Sequence, residues 1–170
     1  MSVDSRDRFY LHLAEEISRQ SKCLSGNFGT VLVRDDMVIG IGFNGPARGI
    51  RHCNPCRRAG SAPGQNYHLC PASHAEVNAL LQAGGRERCL GSTLYLNSHN
   101  RKGIEYHYNS ALGFFPCDQC FKYIINAGVE TVVTEGLNGE PVRTSMIDAI
   151  EKFNAQLVKE EIDAKVCMKK

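Results

Sequence analysis

Thr30-Val31-Leu32-Val33, a turn at Asp35-Asp36, and Val38-Ile39-Gly40-Ile41-Gly42-Phe43 are the stretch from which the fold is read. Two β-branched runs joined by a short polar turn predict a β-hairpin. Before it, Arg6 to Ser21 carries Phe9, Leu11, Leu13, Ala14 and Ile17 at the spacing of one helical face. After it, residues 44–73 hold Gly, Pro, Arg and Cys with little periodicity, which predicts a long loop. His74 to Ala83 reads as a short helix stopped by Gly84-Gly85, with Ser73 as its N-cap. Thr93-Leu94-Tyr95-Leu96 reads as a buried strand, Cys117 to Ala127 as a helix closed by Gly128, and Glu130 to Thr134 as another strand. Residues 144–165 are amphipathic through Ile147, Ile150, Phe153, Leu157 and Val158. Strands alternating with helices in this order predict an α/β sheet covered on both faces.

At 170 residues, without an internal repeat or linker, the chain is expected to be a single domain over residues 1–170. A net charge of +2 is too small to mark a nucleic-acid binder. The N-terminal segment is amphipathic rather than continuously apolar, and no apolar run reaches the length of a membrane span. A cytoplasmic protein is expected. There, eight cysteines argue for metal ligation rather than disulfides. Two C-x-x-C pairs support this, Cys53-Asn54-Pro55-Cys56 and Cys117-Asp118-Gln119-Cys120. Cys89 and Cys167 read as buried free thiols.

The second pair follows His74-Ala75-Glu76 by about forty residues. His74, Cys117 and Cys120 offer three zinc ligands, and three protein ligands leave a fourth position open, as catalytic zinc requires. Pro116 suits the start of a helix, and the i, i+3 cysteines share one face at that start, where the helix dipole favours thiolates. The combination H-x-E…P-C-x-x-C is a known signature of zinc deaminases.

These residues resemble the cytidine/deoxycytidylate deaminase superfamily, and over roughly residues 5–135 they are most similar to its deoxycytidylate deaminase branch. That branch also carries a segment like Gly42-Phe43-Asn44-Gly45-Pro46-Ala47-Arg48-Gly49 and cysteines near Cys23, Cys53, Cys56 and Cys70. The resemblance implies a three-layer α/β/α fold with a mixed central sheet. It implies zinc on His74, Cys117 and Cys120, with Glu76 as the catalytic proton shuttle. Asn44, Gly45 and Ala75 would contact substrate, and Arg48 a phosphate or an effector. A second, structural zinc would sit on Cys23, Cys53, Cys56 and Cys70, with His52 and His68 as substitutes. The implied reaction is hydrolysis of dCMP to dUMP, releasing ammonia and feeding dTTP synthesis. The implied assembly is a homo-oligomer, a hexamer or dimer, regulated by dCTP and dTTP. Alternatives are deamination of another nucleoside, nucleotide or free base, or of tRNA or another nucleic acid; low charge and the lack of a basic C-terminal helix argue against the last.

Three departures from relatives stand out. Leu24 to Thr30 lacks the arginines found there in relatives, so one expected phosphate contact is missing. Thr134 to Leu137 lacks an aromatic residue. An insertion at 98–115 precedes the Cys117 helix, and it reads either as a lid with Arg101 and Lys102 as phosphate contacts or as an oligomer contact. His99 and His107 within it are expected at solvent or an interface.

Overall fold

Alternating side chains along the strands sort the core into two layers. The computed structural model describes residues 3–62, 65–100 and 116–167, with side chains of the last helix described to Glu161. Its main sheet is five-stranded and built from β1 (Gly29–Arg34), β2 (Met37–Phe43), β5 (Thr93–Asn97), β6 (Thr131–Glu135) and β7 (Pro141–Ser145). The order is β2-β1-β5-β6-β7. β5 and β6 pair in parallel and the other neighbours are antiparallel, so the sheet is mixed. A small ribbon pairs β3 (Gly45–Pro46) with β4 (Ala72–Ser73) and ties together the two ends of the long loop.

Val31, Val33, Tyr95 and Val133 point to one face and pack on Tyr10, Leu11 and Ala14 of α1 (Val3–Ser18). Leu32, Leu94, Leu96 and Val132 point the other way. They pack beneath α2 (Ala75–Ala83), α3 (Arg86–Cys89), α4 (Asp118–Ala127) and α5 (Met146–Cys167), through Leu80, Cys89, Phe121, Ile124 and Met146. Helices thus cover both faces, and the three-layer α/β/α arrangement expected from the sequence is present.

Several local expectations differ. The buried face of α1 is Asp7, Tyr10, Leu11, Ala14 and Ser18, while Phe9 is 59% exposed. Asp7 can point inwards because the Arg143 guanidinium pairs with it at 2.6 and 2.8 Å and the Tyr95 hydroxyl donates to it at 2.9 Å. The N-cap of α2 is His74 rather than Ser73, because Ser73 is held in β4 opposite Gly45. The segment from Thr144 is helical only from Met146, since Thr144 and Ser145 end β7. Ile147, Leu157 and Val158 on α5 are exposed. Cys89 is fully buried in the core, as expected, and the side chain of Cys167 lies outside the described residues.

Candidate metal centre

Two helix N-termini converge to make the site. His74 caps α2 in an extended conformation (φ −78°, ψ 154°), and Cys117 caps α4 likewise (φ −58°, ψ 158°). Cys120 falls in the first turn of α4 and is 1% exposed. Glycines in the left-handed conformation, Gly84 (φ 93°) and Gly128 (φ 79°), close both helices. The position of α2 depends on β2: a Cβ on Gly42 would lie 2.2 Å from the Ala75 carbonyl oxygen, so only glycine lets helix and strand come this close. Asn78 adds a tie, its Nδ2 donating to the Phe43 carbonyl at 2.8 Å.

His74 Nδ1 lies 3.4 Å from Cys117 Sγ and 3.3 Å from Cys120 Sγ. Ligands around one tetrahedral zinc, with Zn–S of ~2.3 Å and Zn–N of ~2.0–2.1 Å, stand about 3.6 Å apart. The three side chains therefore fit a single zinc, and they are the only group of ligating residues so clustered among the described residues. The Cys117 thiol is pulled down to about 4, chiefly by the hydrogen bond from Cys120 and also by His74. Cys120 is shifted upwards, first because it donates that hydrogen bond and then because it is buried. His74 is shifted upwards by its hydrogen bond to Cys117.

Glu76, in the first turn of α2, is 5% exposed. Burial raises its carboxyl above the ordinary glutamate range. It lines a cavity of about 250 Å³ together with His74, Ala75, Asn44, Phe28, Leu96, Lys22, Arg58 and Tyr67. A buried carboxyl whose pKa is raised, beside a set of metal ligands and a cavity, can take a proton from one group and give it to another.

The other expected contacts are placed less uniformly. Asn44 is buried in the cavity wall, where its Oδ1 accepts from Phe28 N–H and its Nδ2 donates to the Gly26 carbonyl, both at 2.8 Å. It clamps the loop before β1 and keeps one donor and one acceptor position for a ligand. Gly45 pairs with Ser73 and is not part of the cavity wall. Arg48 is exposed and off the cavity. Arg101, Lys102 and His107 lie outside the described residues. His99 is not a free surface histidine, because its Nδ1 and N–H both meet the buried Ser18 hydroxyl, at 2.8 and 2.9 Å.

The second zinc expected on Cys23, Cys53, Cys56 and Cys70 is not supported. All four thiols and His52 line the same cavity, yet no three of them reach ligating distance of one another. The loop spreads them along its wall instead of focusing them on a point. His68 is exposed, in a 3₁₀ turn at Tyr67–Leu69.

Sequence reasoning passed over Arg58 and Tyr67. The Arg58 guanidinium lies 4.2 Å from the Tyr67 ring centroid, and the Tyr67 ring is 5.9 Å from that of His74. The pair Arg57-Arg58, directly after Cys56, was the one available signal.

Comparison with known proteins agrees with this geometry. The family described as "Cytidine and deoxycytidylate deaminase zinc-binding region" matches residues 4–135. The deoxycytidylate deaminase of Mycobacterium phage D29 is 33% identical over 140 residues, covering 78% of this chain and 96% of the relative. That of Saccharomyces cerevisiae is 31% identical over 131 residues, covering 76% of this chain but 37% of the relative. The crystal structure of the dCMP deaminase from cyanophage S-TIM5, in complex with dCMP and dUMP, superposes with a TM-score of 0.55 at 28% identity, over 79% of this chain and 82% of that one. The chain spans nearly all of the D29 phage relative and little more than a third of the yeast one. Sequence match, fold and the clustered ligands lead to one conclusion: the chain belongs to the zinc-binding cytidine and deoxycytidylate deaminase family.

Proposed function

We propose that the protein is a hydrolase that converts dCMP and water to dUMP and ammonia, a step that feeds dTTP synthesis. The observation that carries this reading is the His74–Cys117–Cys120 cluster with Glu76 buried beside it in one cavity. The relatives named as deoxycytidylate deaminases support the choice of substrate.

In this reading His74, Cys117 and Cys120 hold zinc, which when bound makes water a nucleophile at neutral pH. Glu76 carries the protons: its carboxylate accepts one from water and gives it to the ring nitrogen, then accepts the proton of the added hydroxyl and gives it to the departing amine. Its burial suits both halves of the task, since a raised pKa makes the carboxylate a better base and keeps the acid form more accessible. Ala75 sits fully buried between ligand and shuttle, and fixes their spacing on the first turn of α2. Asn44 offers its remaining N–H and lone pair to the sugar, and keeps the loop Gly26–Phe28 against the cavity.

The reading includes a single deaminase domain over residues 1–170 and a cytoplasmic location. Among the described residues, no helix is long and apolar enough to cross a membrane. It also includes a homo-oligomer, supported by exposed apolar side chains on β2, and dCTP and dTTP as effectors. The test is an ultraviolet assay against cytosine, cytidine, deoxycytidine, CMP, dCMP, dCTP and guanine. The highest kcat/KM is expected for dCMP; turnover of a nucleoside or base with dCMP ignored would overturn the substrate. Adding dCTP and dTTP to the same assay tests regulation.

A further inference from the structure

A deaminase acting on a monophosphate must bind a dianion about one sugar away from its metal cluster. The arginines expected for this before β1 are absent, and Arg48 is exposed and not part of the cavity wall. We propose that Arg58 is the residue that binds the 5′-phosphate of a nucleoside monophosphate, held in place by Tyr67. The assignment rests on the dCMP reading and adds its specificity-determining residue.

Arg58 is half-buried in the cavity wall that also holds His74 and Glu76. Its guanidinium lies over the Tyr67 ring at 4.2 Å, and that ring is 5.9 Å from the ring of His74, which puts the charge within one nucleotide's reach of the metal cluster. Arg58 Nε donates to the Gln65 carbonyl at 3.0 Å. Stacking on one side and this hydrogen bond on the other fix the plane of the fork. Among the described residues no carboxylate lies within ion-pair distance of Arg58, whereas Arg6, Arg8, Arg19 and Arg34 each pair with one at the surface. A half-buried, oriented guanidinium whose Nη groups meet no hydrogen-bond acceptor among the described residues suits a bidentate phosphate. Lys22, exposed at the same cavity, adds positive charge without fixed direction.

The test compares kcat/KM for dCMP and for deoxycytidine in the zinc-loaded, full-length wild type, Arg58→Gln, Arg58→Lys and Tyr67→Leu. Arg58→Gln is expected to lower the dCMP value about 100-fold, mostly through KM, as loss of a charged hydrogen-bond pair does. Deoxycytidine, which has no phosphate, should change by less than about twofold, and zinc content should hold. Arg58→Lys should retain part of the preference, because a point charge replaces a fork. Tyr67→Leu should lower the preference about fivefold by releasing the guanidinium. An equal loss for both substrates, or an unchanged preference in Arg58→Gln, overturns the assignment while leaving dCMP as the substrate. A wild type that does not favour dCMP over deoxycytidine overturns both. If Arg58→Gln does not fold, Arg58→Lys decides: a preference equal to the wild type overturns the role of the fork.

Discussion

Glu76 shows how one burial event can set both chemistry and stability. The carboxyl is 5% exposed, and its upward pKa shift comes first from the loss of water around it. Glu76→Gln keeps the shape and removes the proton transfer, so turnover should fall by about 10²–10⁴ or more while zinc content is unchanged. Zinc lost together with activity would instead make Glu76 a structural residue. The same shift has a thermodynamic sign. In metal-free protein the folded state binds the Glu76 proton more tightly than the unfolded state does. Its contribution to stability is therefore fully present below the unfolded pKa and is lost as pH rises through the folded one. Glu76→Gln should then leave the Tm of metal-free protein unchanged near pH 4 and raise it increasingly as pH climbs above the range of a free glutamate. A Tm difference that shrinks with rising pH would show that Glu76 is not desolvated in this way.

At the scale of elements, the site depends on how closely α2 lies on β2. Gly40 and Gly42 face the helix, and a Cβ on either would meet backbone, the Ala79 carbonyl at 2.5 Å or the Ala75 carbonyl at 2.2 Å. Gly42→Ala should force the helix outwards, costing ~1–3 kcal/mol as an overpacked contact does, and should weaken zinc binding because His74 and Glu76 move with the helix. Gly45→Ala, with nothing within 4 Å of its Cβ, should leave Tm unchanged. Equal effects from the two substitutions would remove the close approach as a cause. The hairpin, both ligand helices and the strands β5 and β6 were legible because apolar periodicity, glycine stops and the two metal motifs all pointed the same way. What was illegible was polar. Asp7 and Ser18 face inwards on α1 because Arg143, Tyr95 and His99 satisfy them, and no pattern of apolar residues encodes such partners. β7 begins at a proline and contains one large apolar residue, Val142, since as the outer neighbour of β6 it buries little. Arg58 lay in a stretch with no periodicity, and its use becomes visible only when the β3–β4 ribbon folds the loop back over His74.

At the scale of the molecule, the sheet is finished at one side and, among the described residues, unfinished at the other. At β7, Arg143 reaches Asp7 and so fastens that edge to α1. At β2 the register shifts by one residue beside Leu32 and Val33, which leaves Ile39 as the extra residue. Cross-strand partners share a face, so Val38 opposite Val33, Ile41 opposite Val31 and Phe43 opposite Gly29 all point to the side of α1. Without that bulge Val38 would turn to the opposite face. Yet α1 does not cover them: they are 46%, 40% and 44% exposed. Single exposed apolar residues are ordinary, but three in line on one strand make a strip that water solvates poorly. The open edge is partly capped, because Ile41 N–H donates to the Gln82 carboxamide oxygen at 2.5 Å, which disfavours pairing of strands edge to edge. Association is therefore expected through the face, with the strip as the centre of a contact between copies. Light scattering on the eluting peak should give a multiple of 18.8 kDa for the wild type. Ile41→Glu places a charge in the middle of the strip and leaves the backbone hydrogen bond to Gln82 intact, so it should shift the mass towards one chain while the fold and zinc content persist. A wild type that elutes as a monomer, or an Ile41→Glu variant with an unchanged mass, would exclude this face as the interface.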